Sequence, residues 1–507
     1  MHLLDAFDSA VRKTPGKAFV RDRGSSISYA DMQRRSRCAA AVLQAQGVGR
    51  GDAVALMCLN TPGFIEALLG AWRLGAAVVP VNHKLQAPEL QFILDHAQCK
   101  ALVFDAALAP VVAAAPHACV RLATEGAAPA AGSQDWDALV AAARPLEGLS
   151  PGDAEIAEVL YTSGTTGRPK GCLLSHRAVT LAAVTAALGL SITRDERTLM
   201  AMPLWHSSPL NNWLGGTLYM GGTVVLLREY HPQHFLQAVQ DERVTLYFGA
   251  PVSYSAPLQM LPDLARYDLS TVRAWIYGGG PISADMARRL AAAYRSDRFY
   301  QVYGMTETGP TGSTLYPEEQ VERAGSIGRV ALPGVDMRVV RSDGADAQSG
   351  ETGEIWLRTG SVMDGYLGDP EATAAAFAPG GWYRTGDIAR LDDAGYLYIV
   401  DRAKDMVITG GENVYSKEVE DAIAAHPQVA DVAVVGRPHP EWGETVIAHV
   451  VVRGDVPPEA RDLQQFLADR LARYKIPREF VFAASLPRTP TGKLQKFLLR
   501  KQACTTS

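Results

Sequence analysis

From Tyr161 to Gly171 the chain reads YTSGTTGRPKG, and its last ten positions hold four hydroxyl residues, three glycines and one lysine. Glycines let a backbone approach an anion closely, hydroxyls donate to it and a lysine adds charge, so the stretch has the chemistry of a phosphate loop. It is not a Walker A loop. That template, G-x-x-x-x-G-K-[ST], needs a second glycine where Pro169 stands and a hydroxyl residue where Gly171 follows Lys170. After the loop, GCLLS reads as a strand, and Ser175 is placed to cap the helix HRAVTLAAVTAAL. The loop is thus expected to join strand to strand, with the phosphate held by a hairpin and not by a helix dipole.

The elements that must carry this loop are legible at low resolution. A chain of 507 residues exceeds what one hydrophobic core supports, so more than one domain is expected. The composition, 47% hydrophobic and 20% charged, excludes a disordered chain and a bundle of membrane spans, and a net charge of -5 leaves no basic footprint for nucleic acid. The first residues lack a basic segment followed by an apolar one, and no apolar run is long enough for a membrane span, which points to the cytoplasm. Six cysteines are scattered without C-x-x-C spacing and read as reduced core thiols.

Up to about residue 150, and again from Arg197 to Tyr303, helical patterns alternate with short apolar runs, the signature of doubly wound, mostly parallel sheets. An Ala-rich stretch from Ala106 to Pro145 reads as peripheral helix and loop. From Gly325 to Val400 short β-type runs punctuated by Gly and Asp predict a small antiparallel unit, and the last hundred or so residues have their own strand and helix alternation.

The phosphate-loop stretch resembles that of the adenylate-forming superfamily of acyl-CoA synthetases, peptide-synthetase adenylation domains and luciferases. So do PLWHSS (203–208), YGGGP (277–281), VYGMTE (302–307), GEIWLR (353–358), WYRTGD (382–387), DRAKDMVITGGENVYSKEVE (401–420) and PRTPTGK (487–493), all in the family's order. The resemblance implies an α/β fold: a large N-terminal domain (1–400) of two doubly wound subdomains plus a small β-barrel-like subdomain, a hinge (401–404) at Lys404, and a small mobile α+β C-terminal domain (405–507). It implies an AMP-forming acid:CoA ligase that makes an acyl-adenylate and pyrophosphate from ATP and a carboxylic acid, then passes the acyl group to CoA.

By the same resemblance Thr162, Ser163, Gly164, Thr165, Thr166, Gly167 and Lys170 hold phosphates, with Thr166 also counted as catalytic. Gly278, Gly279 and Gly280, with Tyr303, Gly304 and Thr306, form the adenine and substrate-carboxylate side; Asp387 reads the ribose and Arg402 the ribose and phosphate. Glu307 is the magnesium ligand, so Mg2+ is the expected metal. Lys493 is the charge that stabilises adenylation, and His206 gates the acyl pocket, which Ser207, Asn211, Phe248, Gly280 and Gly304 also line. Gly410, Gly411, Trp442, Tyr474, Lys475 and Arg478 meet CoA, although Ile476 departs from ligases with a basic residue there.

Ser207, Ser208, Asn211 and Asn212 suit a short or polar acid, the wider texture suits fatty acyl or aryl ligases, and Arg273 stands where malonyl-CoA synthetases read a second carboxylate. With the chain ending at Ser507, free CoA is the expected acceptor. The alternatives are a stand-alone enzyme loading a separate carrier protein and, less favoured, a luciferase-like oxygenase. The expected partners are the small molecules alone, with no nucleic acid and no integral membrane segment; a homodimer is left open.

Overall fold

The computed structural model describes residues 2–126, 132–148, 150–162, 169–261, 263–409, 412–454, 457–468, 470–488 and 494–505, with residues 503–505 as backbone only. The chain forms two compact units: residues 1–163, 169–337 and 357–383 make the larger, and 164–168, 338–356 and 384–507 the smaller.

Two twisted sheets dominate the larger unit. In the eight-stranded sheet, Ile156–Thr162, Ala77–Pro80, Ala53–Met57, Cys99–Asp105 and Val120–Thr124 run parallel, and Lys170–Ser175 turns back antiparallel beside Ile156–Thr162 as the second arm of a hairpin. In the nine-stranded sheet, Thr223–Leu226, Arg197–Met200, Leu246–Gly249, Ala274–Gly278 and Phe299–Tyr303 run parallel. The central strands are apolar along their whole length, AVALM or AWIYG, because helices cover both faces. Two features depart from the reading in sequence order. The first strand, Ala18–Asp22, joins the second sheet beside Thr223–Leu226. The Ala-rich stretch supplies Val120–Thr124 to the first sheet and the fully buried Trp136 to its core, so it is only partly peripheral.

Asn60 helps tie the sheets together at one end of their strands, where Glu125, just past Val120–Thr124, also pairs with Arg23 and Arg228 of the second sheet. Asn60, 2% exposed, follows the strand Ala53–Met57 of one sheet. Its Nδ2 donates to the carbonyls of Met200 (2.9 Å), Met202 (3.0 Å) and Leu227 (3.1 Å), at the ends of strands of the other. Its Oδ1 accepts from the Leu204 N–H at 2.9 Å and so sets the start of the turn that carries His206.

In the smaller unit, Gly443–Val452 pairs antiparallel with Val429–His439 and Val407–Thr409 and parallel with Glu479–Phe482. Val419 and Ile423 of the helix Ser416–Ala424, with Leu463 and Leu467 of Ala460–Ala468, pack on the sheet's Val434, Val446 and Val450. Among the described residues no helix is long and apolar enough to cross a membrane.

Asn60→Ala is expected to destabilise the larger unit by about 1–3 kcal/mol, since it strands buried carbonyls and one N–H. Asn60→Asp should be worse than alanine, because a carboxylate facing three carbonyls has nothing to donate. Urea unfolding of the two variants checks the order.

Candidate active site

The hairpin register pairs Tyr161 with Gly171 and Thr162 with Lys170, so the phosphate stretch does close a strand-to-strand connection. Ser175 accepts from the Ala178 N–H at 3.4 Å and caps the helix His176–Gly189, as its place in the sequence suggests. Ser163, Gly164, Thr165, Thr166 and Gly167 lie outside the described residues, as do Gly410, Gly411 and Lys493. Gly171 is required by space and not by backbone angle: a Cβ there would lie 2.9 Å from Val159 Cγ1.

Lys170 leaves the hairpin with its Nζ 4.9 Å from the centre of the Tyr366 ring and 3.7 Å from Asp369 Oδ2. The Tyr366 hydroxyl donates to Glu307 Oε1 at 3.2 Å. Glu307 sits on the short turn Thr306–Thr308 that follows the strand Phe299–Tyr303, and the Met363 N–H donates to its carbonyl at 2.8 Å. Burial, reinforced by the Glu307 charge, pushes the pKa values of Tyr366, Tyr383 and Cys172 well above their ordinary ranges. These neighbours therefore stay neutral. Glu307 is left as a carboxylate beside O–H and S–H groups, with Lys170 and its neighbour Asp369 across the Tyr366 ring.

The turn is locked from behind. Thr308 Oγ1 donates to the Thr311 carbonyl (2.8 Å) and Ser361 Oγ to the Thr308 carbonyl (2.8 Å). Gly304 has no room for a side chain, since a Cβ would come 2.6 Å from the Pro310 carbonyl oxygen. Thr306 shares a 3.0 Å hydrogen bond with Ser207 and links the acidic turn to the segment 203–208.

That segment leads into a π-helix, Ser208–Leu214, a form with an extra residue per turn that often marks a functional site. His206 is exposed beside Trp205, whose Nε1 donates to His83 Nδ1 at 3.2 Å. Ser207 and Asn211 are buried, and Trp213 stacks on Phe248 with ring centres 5.2 Å apart and planes 23° from parallel. Gly278 lies against Phe248, where a Cβ would meet the ring at 3.2 Å, while Gly279 takes a left-handed turn (φ 80°) into open space. Tyr303 is mostly buried at the end of its strand. Ser207, Thr306, Glu307, Phe248, Gly278 and Lys170 thus gather at the strand ends of the larger unit. Arg273 does not join them. It starts the strand that Gly278 ends, and it is taken up by Glu196 Oε1 (2.6 Å) and the Leu190 carbonyl (3.0 Å).

In the smaller unit, Arg402 Nε lies 3.0 Å from Asp387 Oδ1 across an antiparallel pair of strands in which the two residues are register partners. Lys404 occupies the tight turn after Arg402, and burial lowers the basicity of its amine. Arg478 covers Trp442 at 3.2 Å from the ring centre, and His439 stacks on the same indole at 4.1 Å. Tyr474 is exposed, whereas Lys475 is held by both oxygens of Glu418 (2.7 and 2.8 Å).

Reasoning from the sequence missed Tyr366, Tyr383 and Cys172 around Glu307, and Asn60 behind the His206 turn. Tyr366 stands in DGYLGDP, where nothing local signals a partner almost sixty residues back in the chain. The Asn-Thr-Pro run at 60–62 reads as a helix start and hides the long-range bonds.

A doubly wound α/β unit that brings the arms of a hairpin, with Lys170 on one of them, and a carboxylate-bearing turn together at its strand ends has the layout of a nucleotide-dependent activating enzyme. Residues 7–367 match the family model described as AMP-binding enzyme and 418–493 the one described as AMP-binding enzyme C-terminal domain. The chain is 38% identical to a feruloyl-CoA synthase of Amycolatopsis sp, over 97% of each chain. It is 35% identical to the long-chain-fatty-acid--CoA ligase FadD13 of Mycobacterium tuberculosis, over 95% of this chain and 94% of that one. The solved o-succinylbenzoate CoA synthetase of Bacillus subtilis, in complex with its acyl-adenylate intermediate, superimposes with a TM-score of 0.84 at 30% identity, covering 98% of this chain and 97% of that one. The chain belongs to the AMP-binding enzyme family and is an AMP-forming acid:CoA ligase, with ATP and CoA as substrates.

Tyr366→Phe removes a hydrogen bond to a carboxylate, worth about 1.5–3 kcal/mol. It is expected to lower kcat/KM for ATP in pyrophosphate exchange roughly tenfold or more, with the unfolding midpoint little changed.

Proposed function

We propose that the acid is an aromatic carboxylic acid, activated in a pocket whose wall is the Phe248 ring backed by Trp213. The observation that carries this reading is the near-parallel packing of the two rings, 5.2 Å apart, beside the side-chain-free Gly278. A flat face next to a glycine suits a planar ring, and offset stacking adds about 0.5–1.5 kcal/mol beyond area burial. The similarity to a feruloyl-CoA synthase supports the same class. His206 and Ser207 stand at the pocket's entrance, and Asn211, Gly280 and Gly304 complete its lining.

In the first half-reaction the substrate carboxylate oxygen attacks the α-phosphorus of ATP. A carboxylate–phosphorus bond forms as the bond to the bridging oxygen breaks, and pyrophosphate leaves with that electron pair. The nucleophile is already an anion, so no general base is needed; the protein's task is to neutralise charge. The hydroxyls and amides of residues 162–167 and Lys170 hold the β and γ phosphates, Tyr303 and Gly278–Gly280 the adenine side, Asp387 and Arg402 the ribose, and Lys493 places a positive charge at the α-phosphate. The donor set around Glu307 fits Mg2+: one hard carboxylate oxygen, with the remaining ligands left to phosphate and water. When bound, the ion supplies charge neutralisation on the leaving pyrophosphate.

In the second half-reaction the CoA thiol sulfur adds to the acyl carbonyl, AMP departs and the thiol proton passes to solvent. The Trp442–Arg478 pair supplies a flat cationic face for the CoA nucleotide. Exchange of Lys493 for Gly410–Gly411 by movement of residues 405–507 about Lys404 lets one carboxylate site serve both steps. The cytoplasm is the proposed location.

A pyrophosphate-release series across benzoic, cinnamic, short alkyl and long alkyl acids tests the substrate class. Aromatic acids should lead in kcat/KM, and a maximum at long alkyl acids would overturn it. Lys493→Ala should nearly abolish adenylate formation while thioester formation from supplied acyl-adenylate persists; equal loss in both would remove Lys493 from its role.

A further inference from the structure

Glu158 lies in the middle of the strand Ile156–Thr162, on the arm of the hairpin that runs into the phosphate stretch, and it is 0% exposed. Val78 and Leu174 are its register partners on the two neighbouring strands. Asn211 of the π-helix, 1% exposed, approaches it closely enough to act on its carboxyl. Yet neither carboxyl oxygen of Glu158 and neither polar atom of the Asn211 amide meets hydrogen-bond geometry with any group among the described residues. Four buried polar atoms are thus left side by side, at a cost that native interiors rarely carry.

Their number and kind suggest how they are satisfied. A carboxylic acid offers one O–H donor and one carbonyl acceptor, and a primary amide offers the complement, so a small side-chain rotation closes two hydrogen bonds in a ring. A carboxylate cannot close that ring. It brings two acceptors and a full charge to a place without water. Burial, only partly offset by Asn211, which acts to lower it, pushes the Glu158 pKa up to about 8 and keeps the acid form at neutral pH.

The titratable groups nearby do not compete for it. His176, which opens the helix packed on the hairpin, is kept neutral by burial, its pKa pushed down to about 3. On the helix Pro62–Leu74, Glu66 pairs with Arg35 and Arg73 with Asp8. Cys172, on the partner arm of the hairpin, is held well above the thiol range.

We propose that Glu158 is a positioning residue that works as a neutral carboxylic acid, closing a cyclic pair of hydrogen bonds with Asn211 and so fixing the acid-site π-helix to the strand that enters the phosphate hairpin. The positioning role rests on the reading of that helix as a wall of the acid site; the protonation state does not.

Glu158→Gln keeps an amide able to form the same ring and cannot ionise, whereas Glu158→Leu removes the ring. At saturating ATP, wild-type kcat/KM for the acid should fall above about pH 8. Glu158→Gln should match wild type at pH 7 and lose that fall. Glu158→Leu should raise KM for the acid about tenfold or more at every pH, with KM for ATP unchanged. If leucine alone fails to fold, Glu158→Met, which also removes the ring and leaves Asn211 in place, takes its place.

Stability follows the same titration. The folded-state pKa is raised from 4.5 to about 8, so the contribution is complete below 4.5 and is lost as pH rises to about 8. Thermal melts of wild type against Glu158→Gln should diverge across that window and run level above it. In the infrared, a carboxylic-acid C=O band present in wild type at pH 7 should be missing from Glu158→Gln. Absence of that difference band, or an alkaline fall retained in Glu158→Gln, overturns the neutral pair. Equal rises in both KM values for Glu158→Leu or Glu158→Met overturn the positioning role.

Discussion

The larger unit depends on holding its two sheets in register at the strand ends where the candidate site lies, and Asn60 is a central group in that tie. A primary amide can donate and accept at once, which no apolar side chain at a sheet junction can do. Here it joins the end of the strand Ala53–Met57 to the carbonyls of Met200, Met202 and Leu227 and to the amide of Leu204. Sheet packing by apolar side chains sets separation and leaves sliding soft, because dispersion is nondirectional. Directional bonds remove that freedom at the point where the His206 turn begins. Ligands of doubly wound folds bind outside the carboxyl ends of strands, so register there is what the site inherits.

Around Glu307 the principle is different. The carboxylate is enclosed by groups that could ionise and are prevented from doing so: Tyr366, Tyr383 and Cys172 all stay neutral, first because they are buried and then because Glu307 is already negative. One anion among neutral donors suits a hard cation, and Lys170 lies over the Tyr366 ring with Asp369 beside it. The Thr306–Ser207 hydrogen bond ties this electrostatic corner to the segment 203–208, so the two share one framework. The smaller unit repeats the economy: Arg402 and Asp387 hold each other on adjacent strands, and Arg478 lies on Trp442.

Much of this was legible in the chain itself. Alternating apolar runs and helical patterns gave the doubly wound layers, since parallel strands buried on both faces must be apolar throughout. The missing glycine and hydroxyl around Lys170 ruled out a Walker loop, and Ser175 marked its helix because capping is local chemistry. The collinear motifs named the ligase family, and the placement of Ser207, Thr306 and Glu307 followed from motifs that the fold brings together. Arg273 shows the limit. A position in a strand does not say which end of the sheet a side chain serves, and this arginine belongs to Glu196, at the far end from Gly278.

What the sequence determined by itself were the properties that depend on neighbours in the chain: the strand-to-strand phosphate stretch, the caps, the sheet class and the family. What only the tertiary structure decided were the partnerships between residues distant along it. Tyr366 meets Glu307, Asn60 meets three carbonyls of another sheet, and Glu158 faces Asn211 inside the core. Hydrogen bonds and burial act through space over a few ångströms, so neither the sharing of a proton nor the acidity of a buried group can be read until folding has set those distances.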